Sequence, residues 1–82
     1  PMDDQQVNAV VFSLSLMGSN HLDYLKEGFR ILKPYGMLFI CEPKKKAESR
    51  LDKIKEEIED IGFKIIEVKP SSQFIYIDAV KI

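Results

Sequence analysis

Three side chains able to contact a ligand, Ser15, Met17 and Asn20, stand where an apolar run ends and a polar stretch begins. Ligands of open α/β sheets lie outside the carboxyl ends of the parallel strands, so we expect these residues at a binding edge. They could line a pocket for a flipped-out base, as base-modifying enzymes require. The alternative is that they only end a strand and cap the next helix.

A second set is the basic cluster formed by Lys44, Lys45, Lys46 and Arg50, which follows another apolar run. The cluster falls on the same predicted edge and could contact RNA phosphates. The alternative is an ordinary solvated surface, because Glu48 and further carboxylates dilute the positive charge.

The other reactive side chains favour structural roles. His21 is the only histidine, so we expect a surface residue at a helix start and no metal site. Cys41 has no base near it in sequence and is interpreted as a small core residue. Asp78, inside an apolar strand, is interpreted as structural. No residue is assigned a catalytic role.

The element that must position the first set is the apolar stretch Val7–Leu16. Its apolar residues are consecutive rather than alternating, which is typical of a strand covered on both faces in a parallel sheet. A buried helix would give a similar run, but the short length and the valines favour a strand.

Apolar periodicity and turn residues predict the remaining helices and strands. Apolar positions at spacings of three and four predict two helices, and short apolar runs predict three more strands. The predicted order is strand Val7–Leu16, helix Leu22–Leu32, strand Met37–Cys41, helix Ala47–Ile61, and strands Phe63–Val68 and Phe74–Val80. Right-handed crossovers make the first three strands parallel, and the short final turn reverses the fourth. The sequence therefore predicts a β-α-β-α-β-β half of an open α/β sheet.

Length and composition limit the number of domains and the class of protein. The 82 residues, 45% hydrophobic and 30% charged, predict one domain over residues 1–82. A chain this short buries only roughly 60% of its unfolded surface. The net charge of −1 gives no global basic excess for nucleic acid, and one cysteine excludes an internal disulfide. No stretch has the length of a membrane span. The single cysteine fits a reducing compartment, so we expect an intracellular protein.

Several motifs resemble one known family. The string Val-Val-Phe-Ser-Leu-Ser-Leu-Met-Gly-Ser-Asn at Val10–Asn20 is similar to the fourth-strand motif of the nucleomethylin (ribosomal RNA-processing protein 8) methyltransferases, where Cys-Leu-Ser-Leu-Met-Gly-Thr-Asn is typical. Phe29–Gly36 is similar to the Arg-Val-Leu-Lys-Pro-Gly-Gly turn of class I methyltransferases. Gly62–Ile65 and Ser72–Asp78 are similar to the family's last two strands.

The resemblance implies the carboxyl-terminal half of a Rossmann-like class I methyltransferase sheet, with strand order first, second, fourth, third. It implies methylation of an rRNA adenine, S-adenosylmethionine as cofactor and, in eukaryotes, a nucleolar location. Two residues map onto the family's cofactor site: Ser13, at the family's Cys position, and Leu14.

Most of that cofactor site has no counterpart in this sequence. The Gly-rich loop, the acidic residue for the ribose hydroxyls and the Asp-Met pair beside the adenine are missing. We therefore expect the chain to be inactive alone and to bind S-adenosylmethionine only if another chain completes the site.

The first strand, Val7–Leu16, would leave an apolar backbone edge unpaired, which promotes association. We expect a homodimer through this edge, or pairing with a missing amino-terminal half. Three functions stay open: an RNA methyltransferase whose other half lies elsewhere, a noncatalytic interaction module, and a small RNA-binding domain that uses the lysines.

Overall fold

The computed structural model describes residues 4–13 and 20–82. Its elements are β1 (Val7–Phe12), α1 (His21–Ile31), β2 (Leu32–Pro43), α2 (Lys44–Ala47), α3 (Leu51–Ile61), β3 (Phe63–Pro70) and β4 (Phe74–Lys81). Among the described residues, no helix is long and apolar enough to cross a membrane.

The strands form one sheet in the order β1-β2-β4-β3. β1 and β2 are parallel, whereas β4 runs antiparallel to both β2 and β3. The predicted strand order and the reversed last strand are confirmed. β1 lies at the edge of the sheet, as the sequence predicted, although the described strand ends at Phe12 rather than Leu16.

One face of the sheet carries the core. Leu38 and Ile40 of β2, and Ile77 and Ala79 of β4, are buried on this face. The residues that pack with them from the helices are Leu25 of α1, Ala47 of α2, and Ile54 and Ile58 of α3. Two crossovers of the same hand that advance in the same direction across a sheet place their helices on the same side.

The opposite face, here called the open face, is uncovered among the described residues. It presents Val11, Phe39, Cys41 and Tyr76, which alternate with the core residues along their strands. Val11 is 73% exposed. The prediction that the apolar runs are covered on both faces is therefore wrong for this part of the chain, since the helices lie on one side only.

The predicted helix Ala47–Ile61 is interrupted. Residues 44–47 form the short helix α2, residues 48–50 form a turn, and α3 starts at Leu51. β2 also starts earlier than expected, at Leu32, immediately after α1. The turn before Met37 is therefore an irregular insertion in β2, where the register with β1 shifts.

That insertion contains Tyr35, whose φ of 66° lies in the left-handed region. The similar turn of class I methyltransferases has glycine at this position, where a left-handed residue carries no steric cost. Tyr35 is 78% exposed, so packing contributes little to hold this conformation.

The carboxyl end of α1 is tied to the segment before β1 by its last carbonyl groups. Leu32 N–H donates to the Gly28 carbonyl within the helix cap. Gln5 N–H donates to the Arg30 carbonyl at 3.0 Å, and Gln6 N–H donates to the Ile31 carbonyl at 2.7 Å. Carbonyls that a helix end normally leaves unpaired therefore hold the segment that leads into β1.

Lys81 completes this helix end from β4. Its Nζ donates to the carbonyls of Phe29 at 2.5 Å and Leu32 at 2.8 Å, and lies 4.3 Å from the centre of the Phe29 ring. A cation at a helix carboxyl terminus is also favoured by the helix dipole. Lys81 is only 9% exposed, so few water molecules can replace its hydrogen bonds.

Replacing Lys81 with Met keeps a long side chain but leaves both carbonyls without this donor. We expect the Lys81→Met variant to lose about 1–3 kcal/mol of unfolding free energy, measured by urea denaturation. Lys64→Met, at an exposed position of β3, is the matched control and should change stability by less than about 0.5 kcal/mol. Equal losses in the two variants would contradict the assigned role of Lys81.

Candidate functional site

The carboxyl ends of three strands meet at one edge of the sheet, here called the carboxyl edge. β3 shares the direction of β1 and β2 because β4 is antiparallel to β2 and β3 alike. The edge carries Ser13 after β1, Lys44 after β2, and the turn at residues 71–73 after β3. Ligands of open α/β sheets lie outside such an edge.

Ser13 directly follows β1 and is half-buried. This is the described part of the predicted cofactor pair. Leu14, and the predicted substrate residues Ser15 and Met17, lie outside the described residues. Their assignments remain predictions.

Asn20, the remaining predicted substrate residue, is exposed immediately before α1. Its side chain makes no capping hydrogen bond to α1, so the capping role expected for it is not observed. Its carboxamide therefore remains exposed near the carboxyl edge.

His21, the next residue, has a packing role that the sequence did not predict. Its Nε2 lies 3.1 Å from Glu57 Oε1, and the two side chains are only 13% and 15% exposed. The pair joins the start of α1 to α3. His21 does begin a helix, but the expectation of an ordinary surface residue is wrong because α3 packs against it.

Lys44, Lys45 and Lys46 form most of the short helix α2 at the carboxyl edge. Lys44 is half-buried, and the other two are exposed. The backbone N–H of Lys44 donates to the Gln73 carbonyl at 2.8 Å, which ties α2 to the turn between β3 and β4.

A concavity of about 550 Å³ lies between α2 and this turn and is here called the α2 notch. Its lining residues are Pro43, Lys44, Lys45, Glu48, Ser72 and Gln73. Sequence reasoning missed Ser72 and Gln73 as site residues. The available signal was that the polar turn of the reversed hairpin must lie at the same edge as the end of β2.

A second concavity, of about 470 Å³, lies on the open face and is lined by Val11, Phe39, Ile40, Cys41, Lys69, Tyr76 and Asp78. Here Lys69 Nζ lies 2.9 Å from Asp78 Oδ2. The hydrogen bond and charge of Asp78 raise the pKa of Lys69, so this pair persists at neutral pH and is lost as the pH rises through that pKa. Asp78 thus has the structural role predicted for it.

Cys41 also lies on the open face, half-buried rather than in the core. The prediction of a core position is wrong because the face that Cys41 occupies carries no helix in the described structure. Within residues 4–13 and 20–82, no three His, Cys, Asp or Glu side chains are grouped to hold a metal ion.

The residues present fit only a small part of S-adenosylmethionine. Ser13, directly after β1, and Asn20, directly before α1, offer one hydroxyl and one carboxamide. The four glycines, at positions 18, 28, 36 and 62, nowhere form the Gly-x-Gly spacing that lets backbone amides approach a cofactor. The sequence therefore does not contain the glycine-rich part of such a site.

Solved structures share this fold at low sequence identity. The crystal structure of the [4+2]-cyclase SpnF matches with a TM-score of 0.80 and 15% identity, over 99% of this chain and 53% of that chain. A SAM-dependent methyltransferase from Aquifex aeolicus matches with a TM-score of 0.75 and 21% identity, over 100% of this chain and 50% of that chain. The fold is thus a partial Rossmann-like α/β sheet of the class I methyltransferase type.

Curated relatives are more similar in sequence. Ribosomal RNA-processing protein 8 of Rattus norvegicus is 41% identical over 69 residues, which are 80% of this chain and 14% of that protein. The 25S rRNA (adenine(645)-N(1))-methyltransferase of Schizosaccharomyces pombe is 41% identical over 64 residues, 77% of this chain and 20% of that protein. The corresponding enzyme of Saccharomyces cerevisiae is 52% identical over 44 residues, 54% of this chain and 11% of that protein.

The family described as "Hypothetical methyltransferase" matches residues 1–82, so the chain belongs to this family. The resemblance to ribosomal RNA-processing protein 8 is confirmed by these relatives. The chain spans about a fifth or less of the length of the relatives described above.

Proposed function

We propose that this chain is the carboxyl-terminal portion of the catalytic domain of an S-adenosylmethionine-dependent rRNA adenine methyltransferase. The observation that carries the proposal is the family match over residues 1–82, together with relatives whose names state rRNA adenine methylation. The sheet order and the reversed hairpin support it, since solved methyltransferases share this arrangement.

In this proposal the carboxyl edge forms one wall of the reaction site. Ser13 and Leu14 contact the cofactor, and Ser15, Met17 and Asn20 border the target adenine. The positions of Ser13 directly after β1 and of Asn20 directly before α1 support this assignment. The lysines of α2 contact the RNA backbone from the same edge.

The remaining cofactor contacts come from a portion that the relatives have beyond the matched segment. The relatives match this chain through their carboxyl-terminal part, so such a portion precedes the match in them. Its Gly-rich loop would supply the amides that this chain lacks. S-adenosylmethionine is then held between the two portions.

The same portion covers the open face and pairs with the free edge of β1. Large apolar side chains there, Val11 above all, contribute about 1.5–3 kcal/mol each when they are buried. When that portion is absent, a second copy of the chain covers the edge, by antiparallel pairing of the two β1 strands about a twofold axis.

By the rRNA-processing role in the relatives' names, the proposed site of action in a eukaryotic cell is the nucleolus. The basic residues of α2 also support a second candidate function, that of a small RNA-binding domain. RNA binding without methyl transfer, in the presence of the relatives' preceding portion, would favour that candidate or a noncatalytic module.

A chimera tests the proposed function. In the Schizosaccharomyces pombe methyltransferase, the segment aligned with this chain is replaced by the present sequence, and the chimera is expressed in cells that lack the native enzyme. We expect methylation of the 25S rRNA adenine to return. The measurement is a reverse-transcription stop, because an N1-methyl group blocks the Watson–Crick edge of adenine.

A chimera whose exchanged segment is a Gly-Ser linker of equal length is the negative control and should give no stop. The proposal fails if the chimera carrying this chain binds S-adenosylhomocysteine as tightly as the native enzyme but leaves the adenine unmethylated. Retained cofactor binding would show that the chimera is folded.

Association through the open face and β1 edge is tested with Val11→Lys. A lysine here places a charge on the apolar face next to the free edge, so we expect association of the isolated chain to weaken by at least about tenfold. Sedimentation velocity at micromolar to tens of micromolar concentration measures it. Glu56→Lys, at an exposed position of α3, is the control and should associate like the native chain.

A native chain that sediments as a monomer throughout this range would contradict the association proposal. Equal weakening in the two lysine variants would contradict the assignment of the interface to the open face.

A further inference from the structure

We propose that the α2 notch binds one ribonucleotide of single-stranded RNA beside the methylation target, with its phosphate on Lys44 and Lys45 and its 2′-hydroxyl on Glu48. The inference rests on the proposed function, which places RNA at the carboxyl edge. The notch is a built feature of that edge, lined from α2 on one side and from the hairpin turn on the other.

The hairpin wall of the notch is held by its own hydrogen bonds. Ser71 N–H donates to the Phe74 carbonyl at 2.8 Å, and Phe74 N–H donates to Ser71 Oγ at 3.0 Å. The Lys44 N–H donates to the Gln73 carbonyl and fixes the floor. Because that N–H is already used, it is not available to a ligand, and we assign the ligand contacts to side chains.

The side chains of the notch differ in sign and hydrogen-bonding type. Lys44 and Lys45 offer ammonium donors, which bind phosphate oxygens. Glu48 offers only acceptors and would repel a simple anion, so the ligand must also present a donor. An RNA nucleotide has both, because its 2′-hydroxyl can donate beside its phosphate. Ser72 and Gln73 add groups for the sugar or base edge.

An exposed aromatic residue, Phe74, directly follows the hairpin turn that lines the notch. Phe74 of β4 is paired with Pro43 of β2 in the sheet register, and Pro43 lines the notch. Phe74 is 38% exposed, and its ring centre lies 6.3 Å from that of Tyr76. An unpaired base next to the bound nucleotide can stack on this ring, which favours single-stranded RNA over a duplex.

Two other concavities of the described structure are less suited to a nucleotide. The groove on the open face is mainly apolar and contains one internally neutralised pair, Lys69 and Asp78, which suits a covering protein segment rather than RNA. A groove between α1 and α3 contains Glu57 and Asp60 against one lysine, Lys26. Each groove contains one lysine, whereas the α2 notch brings two ammonium groups together.

The test is fluorescence anisotropy of a labelled single-stranded RNA and of a DNA of the same sequence, titrated with the 82-residue chain at several salt concentrations. Lys45→Gln should weaken binding. It should also make the negative slope of log K against log salt shallower by about 0.7. Lys53→Gln on α3, outside the notch, makes the same charge change and should leave the slope nearly unchanged.

Glu48→Ala separates a specific contact from bulk charge. Removing a carboxylate favours nucleic acid in general, so bulk electrostatics alone predicts tighter binding of RNA and DNA together. The proposal instead predicts that the preference for RNA over DNA falls by about fivefold, the loss of one hydrogen bond. Glu56→Ala on α3 is the matched control and should keep the native preference.

Equal slopes for Lys45→Gln and Lys53→Gln, or an unchanged RNA preference in Glu48→Ala, would overturn the proposal. The same variants in the chimera provide a second measurement that does not depend on the isolated chain. There, Lys45→Gln should raise KM for rRNA with little change in kcat, and should leave S-adenosylhomocysteine affinity unchanged. If the chimera is active and Lys45→Gln leaves its KM for rRNA normal, the notch proposal fails and the proposed function stands. If the chimera is inactive but the notch still prefers RNA over DNA, the proposed methyltransferase function fails and the notch proposal stands.

Discussion

The carboxyl end of α1 is the point on which the rest of the structure depends. Backbone amides of Gln5 and Gln6, and the ammonium group of Lys81, all donate to carbonyls at this end. The segment before β1, the end of β4 and the start of β2 therefore converge on one helix terminus. Since a helix leaves its last carbonyls without partners inside the helix, these bonds fix β1 and β4 relative to α1. That arrangement positions the strand ends that form the carboxyl edge.

Helices cover one face of the sheet and leave the open face uncovered in the part of the chain that the structure describes. The face under the helices buries Leu38, Ile40 and Ile77, whereas the opposite face leaves Val11 and Tyr76 accessible. The cofactor fit has the same asymmetry, because the chain offers the end of β1 but no Gly-x-Gly loop. One covering portion would resolve both the exposed apolar face and the partial cofactor site, which is why we propose that they have a common cause.

Much of the fold could be predicted from the sequence. Consecutive apolar residues and short turns were sufficient for the element order and the reversed hairpin, and the family resemblance supplied the strand order. Burial of both faces was not predictable in this way, since an apolar run such as Met37–Cys41 reports what a strand could bury rather than what covers it. The break between α2 and α3 was missed because Ala47 fits the apolar spacing of α3 although it ends a separate turn.

The site was less predictable. The lysines of α2 were visible as a charge run, but their partners Ser72 and Gln73 are separated from them by α3 and β3 in sequence. His21 was expected at the surface because nothing in its neighbourhood indicates Glu57, thirty-six residues away. Contacts between distant elements depend on the register and rotation of each element, which periodicity does not determine.

The most direct test of the account is a calorimetric titration with S-adenosylhomocysteine. The isolated chain and the chimera that supplies the preceding portion are titrated under the same conditions. The account predicts no measurable heat from the isolated chain up to millimolar ligand, and micromolar binding by the chimera. Micromolar binding by the isolated chain would contradict the claim that this sheet provides only one side of the cofactor site.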